Sequence, residues 1–283
     1  MVVIIEQRPG AHIITKAIQE ASSMQKQSHL SKKIIFLIIV VTLHVACTTK
    51  QVIIPHDPST QKVLSTIAGT VAESDIISAL AQIDLVTPGG YYPTRAVLII
   101  KKPSYLRLEL LPPMGPPDFF LTATPREMKI LLPSKGEFYR GEPTGRNLSQ
   151  FLPWQFNIDD IVAIFAGTYP LLTGDVTFLR YPESNDLRIE MKDQAGISQT
   201  IWIGSDSRLR KLERFNEAGK LIYRADFNNY GEGSSIAGKI SVSMDGGATS
   251  ITVKYTDLKI EKAKDVSIFD LPVPAGFKII NLE

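Results

Sequence analysis

The chain has 283 residues, 31 of them Lys or Arg and 29 Asp or Glu, with a formal net charge of +2, a balance that argues against nucleic acid as a partner. It carries one cysteine, Cys47, and four histidines, of which only His56 lies beyond Cys47. Everything after His56 is therefore free of His and Cys, which excludes a Ser-His-Asp or Cys-His nucleophile and a typical zinc site; no enzyme, metal centre or cofactor is expected.

Ile34 to Ala46 is an apolar run broken only by Thr42 and His44, with Lys26, Lys32 and Lys33 just ahead of it. A basic segment, a short apolar stretch and a small residue before a cut mark a secretory signal. The run, about 13 residues, is shorter than the roughly 20 that a spanning helix needs. His44-Val45-Ala46-Cys47 resembles the lipobox of bacterial lipoproteins, which implies cleavage before Cys47 and a lipid on its sulfur. The alternative is an ordinary signal in which the cysteine falls there by chance, leaving a lone thiol in an oxidising compartment. Met24 lies at the right distance from the basic cluster and reads as the true start. The expected organisation is a signal peptide over 1–46, a lipidated tether over 47–58 and one large domain over 59–283. Five basic and two acidic residues precede Cys47, leaving 26 and 27 in the mature part, so no charged tail is expected.

The tether, with Pro55 and Pro58 near its end, reaches about 33 Å when extended at ~3.3 Å per residue, and holds the domain close to its membrane. From Ser59 to about Glu73, the recurrence of Val63, Ile67 and Val71 with Leu64 predicts a helix, with Ser59 as its cap and Gly69 as a weak point. Period-two alternation follows: Leu106, Leu108 and Leu110; Leu187, Ile189 and Met191; Ile240, Val242 and Met244; Ile251, Val253 and Tyr255. Such strands have one apolar and one wet face and form antiparallel sheets. Ala195-Gly196, Gly204-Ser205-Asp206, Ala218-Gly219 and Asp245-Gly246-Gly247 are hairpin signals. Between Tyr255 and Leu258 the apolar parity switches, which predicts a bulge near Thr256-Asp257. Eleven to thirteen strands are expected, more than a flat sheet holds without curling.

One helix interrupts the strands. Asn157 is placed to cap it, Asp159 and Asp160 lie in its first turn, Ile158, Ile161, Val162 and Phe165 form its apolar stripe, and Gly167 and Pro170 end it. The two carboxylates are expected to serve the helix terminus and not a catalytic pair, because adjacent helical side chains diverge by about 100°. Leu148 to Trp154 reads as a short helical turn before it. Trp154 and Trp202 are expected in plain packing roles.

The stretch Tyr105-Leu106-Arg107-Leu108-Glu109-Leu110-Leu111-Pro112-Pro113-Met114-Gly115 resembles the outer-membrane lipoprotein receptor LolB, in which an Arg/Leu-rich strand runs into a Pro-Leu-Gly loop. Asn157 to Gly167 followed by Thr168-Tyr169-Pro170 resembles that family's helix ending in Gly-x-Pro, with one extra residue here. The order of elements is also similar, over most of Ser59 to Lys262, while the tail from Phe269 to Phe277 resembles related uncharacterised lipoproteins more. The resemblance implies the LolA/LolB fold, a curled, half-open antiparallel β-barrel with helices as a lid over an apolar hollow. It also implies an outer-membrane, lipid-anchored protein facing the periplasm, acyl chains or lipoproteins as ligands, and a periplasmic LolA-like carrier as a partner. On this resemblance Leu106, Leu108 and Leu110 would line the hollow and Ile158, Ile161, Val162 and Phe165 the lid. Pro113, Met114 and Gly115 would form a loop that enters the membrane.

The residues alone leave two questions open. Pro112 to Pro117 is either a rigid turn with Met114 tucked beneath it or an exposed apolar tip that touches lipid. The stripe of the second helix is either core or lid, since both bury it. Three function classes follow: a lipid or lipoprotein carrier or receptor, a non-catalytic structural or assembly lipoprotein of the same fold with a filled core, and, disfavoured by the absence of His, Cys and any catalytic motif, an enzyme.

Overall fold

Residues 58–153, 156–263 and 265–283 are described by the structure, a computed structural model; the signal peptide, Cys47, the tether to residue 57 and Trp154 lie outside them. The chain after residue 74 is dominated by strands, because its apolar residues recur with period two and Gly-bearing turns punctuate them. In order these are β1 (Asp75–Thr87), β2 (Gly90–Lys101), β3 (Tyr105–Leu111), β4 (Phe119–Ala123), β5 (Met128–Leu132) and β6 (Glu137–Gly141). Then come β7 (Thr177–Pro182), β8 (Asp186–Lys192), β9 (Ser198–Gly204), β10 (Leu209–Phe215), β11 (Leu221–Tyr230), β12 (Ala237–Met244), β13 (Thr249–Lys262) and β14 (Lys278–Asn281). All fourteen belong to one sheet in the order β14-β6-β5-β4-β3-β2-β1-β13-β12-β11-β10-β9-β8-β7. Every pairing is antiparallel except β14 with β6. The sheet is not closed: β14 and β7 are its two ends.

The bulge lies where the parity switch puts it. Leu80 pairs with Asp257 and Ala81 with Tyr255, so Thr256 is the extra residue, and its hydroxyl donates to the Leu80 carbonyl at 3.1 Å. The extra residue restores Leu258 and Ile260 to the face that carries Val253, opposite Ala79 and Ile77.

Among the described residues three α-helices accompany the sheet: α1 (Pro58–Ala68), α2 (Gly145–Leu148) and α3 (Ile158–Phe165). The first is shorter than its apolar spacing suggests. It stops at Ala68, where the Gly69 amide bonds the Ser65 carbonyl at 2.8 Å, and a Cβ on Gly69 would stand 3.0 Å from that oxygen. Ser59 lies inside the first turn instead of capping it. The short helix expected at 148–154 begins earlier, at Gly145, because Thr144 caps it by accepting the Asn147 amide. The end of α3 follows the expectation: Gly167, at φ 75°, bonds Ile164 and Thr168 bonds Ala163, the paired closure of a Schellman motif.

The described residues hold fourteen strands, one more than the upper end of the eleven to thirteen expected, and β14 carries the larger surprise. After β13 the chain crosses the outer face of β3–β6. Phe269 stacks against Tyr105 with ring centres 5.3 Å apart, Arg107 donates to the Ile268 carbonyl, and Lys129 pairs with Asp270 at 2.8 Å. Leu271 and Phe277 then cover Leu131, Phe120 and the fully buried Phe138. The tail ends by pairing with β6 as β14, and Leu282 passes so close to Gly141 that a Cβ there would meet its Cβ at 2.7 Å.

Candidate functional site

The inner face of the sheet is built in layers, each crossing the strands from one hairpin neighbour to the next. One layer runs Ile189, Ile201, Leu212, Ala225, Val242 and Ile251. Leu106, Leu108, Leu121 and Ile130 continue the apolar surface on the other half of the sheet, and Leu110 packs against it half-buried. Onto this face fall α1, through Leu64 and Ile67, and α3, through Ile158, Ile161, Val162, Ile164 and Phe165; all belong to one continuous buried cluster. The predicted stripe thus meets the predicted strand leucines. In this structure the stripe fills the space above them. A small apolar cavity of about 170 Å³ remains between Leu64, Tyr169, Leu172, Phe178 and Met191.

Hydrogen bonds tie the helices to the rest of the domain. Tyr255, on β13, donates its hydroxyl to the Phe165 carbonyl at 2.7 Å, and Tyr169 donates to Leu64 at 3.2 Å. Burial raises both phenols, Tyr169 to about 12, so both stay protonated donors through any ordinary pH. Lys102 donates to the Ala68 carbonyl at the C-terminus of α1, and burial lowers its pKa.

The layer nearest the N-terminus of α3 breaks the apolar rule. It runs Met191, Gln199, Arg214, Tyr223, Met244 and Thr249. Arg214 has the same strand parity as the core residue Leu212, so its side chain belongs to the inner face. Its Nη1 donates to Gln199 Oε1 at 2.8 Å, and the buried Gln199 in turn donates to the Pro170 carbonyl at 2.9 Å. Opposite, Tyr223 donates to Asp160 Oδ2 at 3.0 Å while its ring meets Phe156 edge-on at 4.6 Å. Burial pushes the Asp160 carboxyl above its ordinary value, against the pull of the Arg214 charge, and burial likewise raises the Tyr223 phenol. Arg214, Asp160 and Tyr223 line a cavity of about 430 Å³ with Asn157, Asn216, Glu217 and Ile222. Asn157 occupies the cap position of α3, yet its side chain makes no capping hydrogen bond. Asp160 likewise bonds across to the sheet. Sequence reasoning passed over Arg214 because β10 reads Leu-Arg-Lys-Leu-Glu-Arg-Phe; the shared parity of Leu212 and Arg214 was the available signal.

The loop from Pro112 to Asp118 joins β3 to β4 at this same end of the strands, beside the β1–β2 hairpin. Met114 is 89% exposed, and Pro113 and Gly115 beside it are exposed as well. Gly115 takes φ 90°, and nothing stands within 4 Å of a Cβ placed on it. The base of the loop is fixed: Asp118 accepts from the Ser134 amide at 2.7 Å and its hydroxyl at 2.6 Å, bonds that hold the Asp118 carboxyl below its ordinary pKa. A rigid base with a projecting apolar tip is the arrangement, not a methionine folded under the turn. Trp202 sits on the outer face beneath Lys211, whose ammonium lies 3.6 Å from its ring centre. Cys47 lies outside the described residues. No helix among the described residues is long and apolar enough to cross a membrane.

This architecture is the LolA-like fold: mainly β, one large, mostly antiparallel sheet, with helices on its apolar face. A LolA superfamily protein from Nitrosomonas europaea superposes with a TM-score of 0.54 at 17% identity, covering 75% of this chain and 97% of that one. A putative outer membrane lipoprotein-sorting protein domain from Vibrio parahaemolyticus gives 0.52 at 15% identity, covering 74% and 95%. A DUF1329 family protein from Desulfovibrio piger gives 0.56 at 12% identity, covering 75% and 96%. No protein-family model and no curated protein matches the chain.

Proposed function

We propose that this chain is an exported, non-catalytic lipoprotein, anchored through Cys47 in the outer membrane with its domain facing the periplasm, and that the domain binds acyl chains and helps receive or insert lipoproteins there. The observation that carries this reading is the continuous apolar inner face, on which α3 lies as a separate helix that packs through its apolar stripe and is hydrogen-bonded to the sheet by Tyr255 and Tyr223. Acyl ligands are bound by apolar concavities with few polar groups. In the proposed cycle α3 is a lid: its stripe of Ile158, Ile161, Val162 and Phe165 lifts, and an acyl chain takes its place against Leu106, Leu108 and the layered strands. Met114, exposed on a loop at the same end, meets the bilayer during transfer. The Vibrio structure, a putative outer membrane lipoprotein-sorting protein domain, supports the same direction through shared fold. A periplasmic LolA-like carrier would be the donor.

The second reading, a structural or assembly lipoprotein, is favoured by one observation: α3's stripe already fills the space, with Val162 fully buried. Titration of the purified protein with a fluorescent fatty acid separates the two. Saturable binding that a lipopeptide displaces supports the carrier; no binding at concentrations that load a known acyl carrier supports the structural role. Fatty-acid labelling in cells that survives Cys47→Ser would end the anchor assignment.

A further inference from the structure

The charged layer beside the N-terminus of α3 is not needed to bury acyl chains, and it is costly to keep. A half-buried arginine on an apolar sheet face is stable only when its hydrogen bonds and charge are met. Yet among the described residues Arg214 makes one hydrogen bond, to Gln199, and forms no ion pair with a carboxylate. Asp160 lines the same cavity with the opposite charge, but its partner is the Tyr223 hydroxyl. Each charge is held in place by a third residue that is itself buried: Gln199, tied to the Pro170 carbonyl, for Arg214, and Tyr223, wedged against Phe156, for Asp160. The two thus line one cavity and act on each other by charge without forming an ion pair. Glu217 adds a second carboxylate from the β10–β11 turn, and Asn157 and Asn216 add polar walls. The remaining guanidinium N–H groups are donors for an oxyanion, in the paired geometry that favours arginine at phosphates.

We propose that this cavity is a head-group site for a zwitterionic amphiphile, with its oxyanion at Arg214 and its ammonium between Asp160 and Glu217. A phosphoethanolamine head has this chemistry and fits within about 430 Å³ of space. The site opens at the end of the strands that bears Met114, so a head held there leaves its chains free to run under α3 along the apolar layers. The proposal rests on the acyl-binding reading and adds what that reading lacks, a choice among lipids by their polar end.

The test uses four amphiphiles with one 14-carbon chain: a lysophosphatidylethanolamine, an anionic lysophosphatidylglycerol, a cationic alkylamine and a neutral monoacylglycerol. Each competes with a bound fluorescent fatty acid on the full-length protein. The zwitterion should displace the probe at a concentration about tenfold below that of the monoacylglycerol, the scale of one or two charge-assisted hydrogen bonds. Arg214→Met, Asp160→Asn and Glu217→Gln should each shrink that ratio, the first two to within about threefold; Glu217 is exposed on a turn, so its variant stays informative if a buried one fails to fold. Equal displacement by all four heads, or a ratio untouched by the substitutions, overturns the head-group site while acyl binding stands. Lysophosphatidylglycerol competing as well as the zwitterion overturns it in favour of a simple anion site. Failure of the probe and of every amphiphile to bind overturns the acyl-binding reading itself, and the head-group site with it.

Discussion

Met114→Glu separates a membrane tip from a packed turn more sharply than any other single change. Met114 is 89% exposed, the loop around it makes no close contact at Gly115, and the fixed base at Asp118 and Ser134 is untouched. Substitutions at such surface positions stay within about 0.5 kcal/mol. At roughly 2–4 °C per kcal/mol for a domain of this size, the melting temperature should move by about 2 °C or less. The membrane term is larger. Burying one methionine side chain is worth about 1.5–3 kcal/mol, roughly a ten- to hundredfold change in the tip's partition into lipid, and a carboxylate there is repelled in addition. Transfer of a fluorescent acyl probe from the protein to liposomes, followed by stopped-flow, should therefore slow by about tenfold or more while equilibrium binding of the probe is kept. A fall of several degrees in the melt shows that the loop packs in solution. An unchanged transfer rate shows that the tip plays no part at the membrane. Either result refutes the reasoning.

Ile161→Asp puts a carboxylate on a side chain that is 2% exposed within the α3 stripe, and should destabilise by about 3–5 kcal/mol, read in a urea melt. Phe138→Ala, on the outer face, should cost a similar amount, about 3–5 kcal/mol, if the tail through Leu271 and Phe277 is part of the folded unit; a loss below 1 kcal/mol contradicts the description of that face. Asp160 gives the pH dependence. Its pKa is raised in the folded state, so the native protein holds more protons than the unfolded chain between the ordinary carboxylate value near 4 and the raised one, and stability is lost as pH rises through that window. Asp160→Asn keeps an acceptor for Tyr223 and removes that loss. It should melt at or above the native protein at pH 7, with the difference gone below about pH 4; a variant that melts lower at pH 7 contradicts the burial argument.

Much of the fold is legible in the residues because period-two alternation survives in most strands. Even the bulge is readable, since Tyr255 and Leu258 cannot share a face without an extra residue at Thr256. The outer-face cover was not. Phe120, Leu131 and Phe138 make their strands apolar on both sides, which blurs the alternation, and the segment that covers them has no period of its own because its contacts with Tyr105, Arg107 and Lys129 are made one residue at a time. Asn157 was correctly placed at a helix start, but nothing local says that its side chain forgoes the cap. The exposure of Met114 was undecidable from Pro and Gly alone, which build closed and projecting loops equally well. The polar layer was hidden for a different reason: Gln199, Arg214 and Tyr223 come from three strands, and only the register brings them together with Asp160.

The central claim is that α3 and an acyl chain compete for one apolar face, and hydrogen exchange at the amides of residues 158–165 tests it most directly. Without ligand these amides should be well protected, given a buried stripe and the end bonds from Tyr223 and Tyr255. Saturation with a long-chain fatty acid should speed their exchange by at least tenfold while the central strands β1 and β13 stay protected. A ligand that binds yet leaves α3 protected, or increases its protection, would contradict the account, because the chain would then lie somewhere other than beneath the helix.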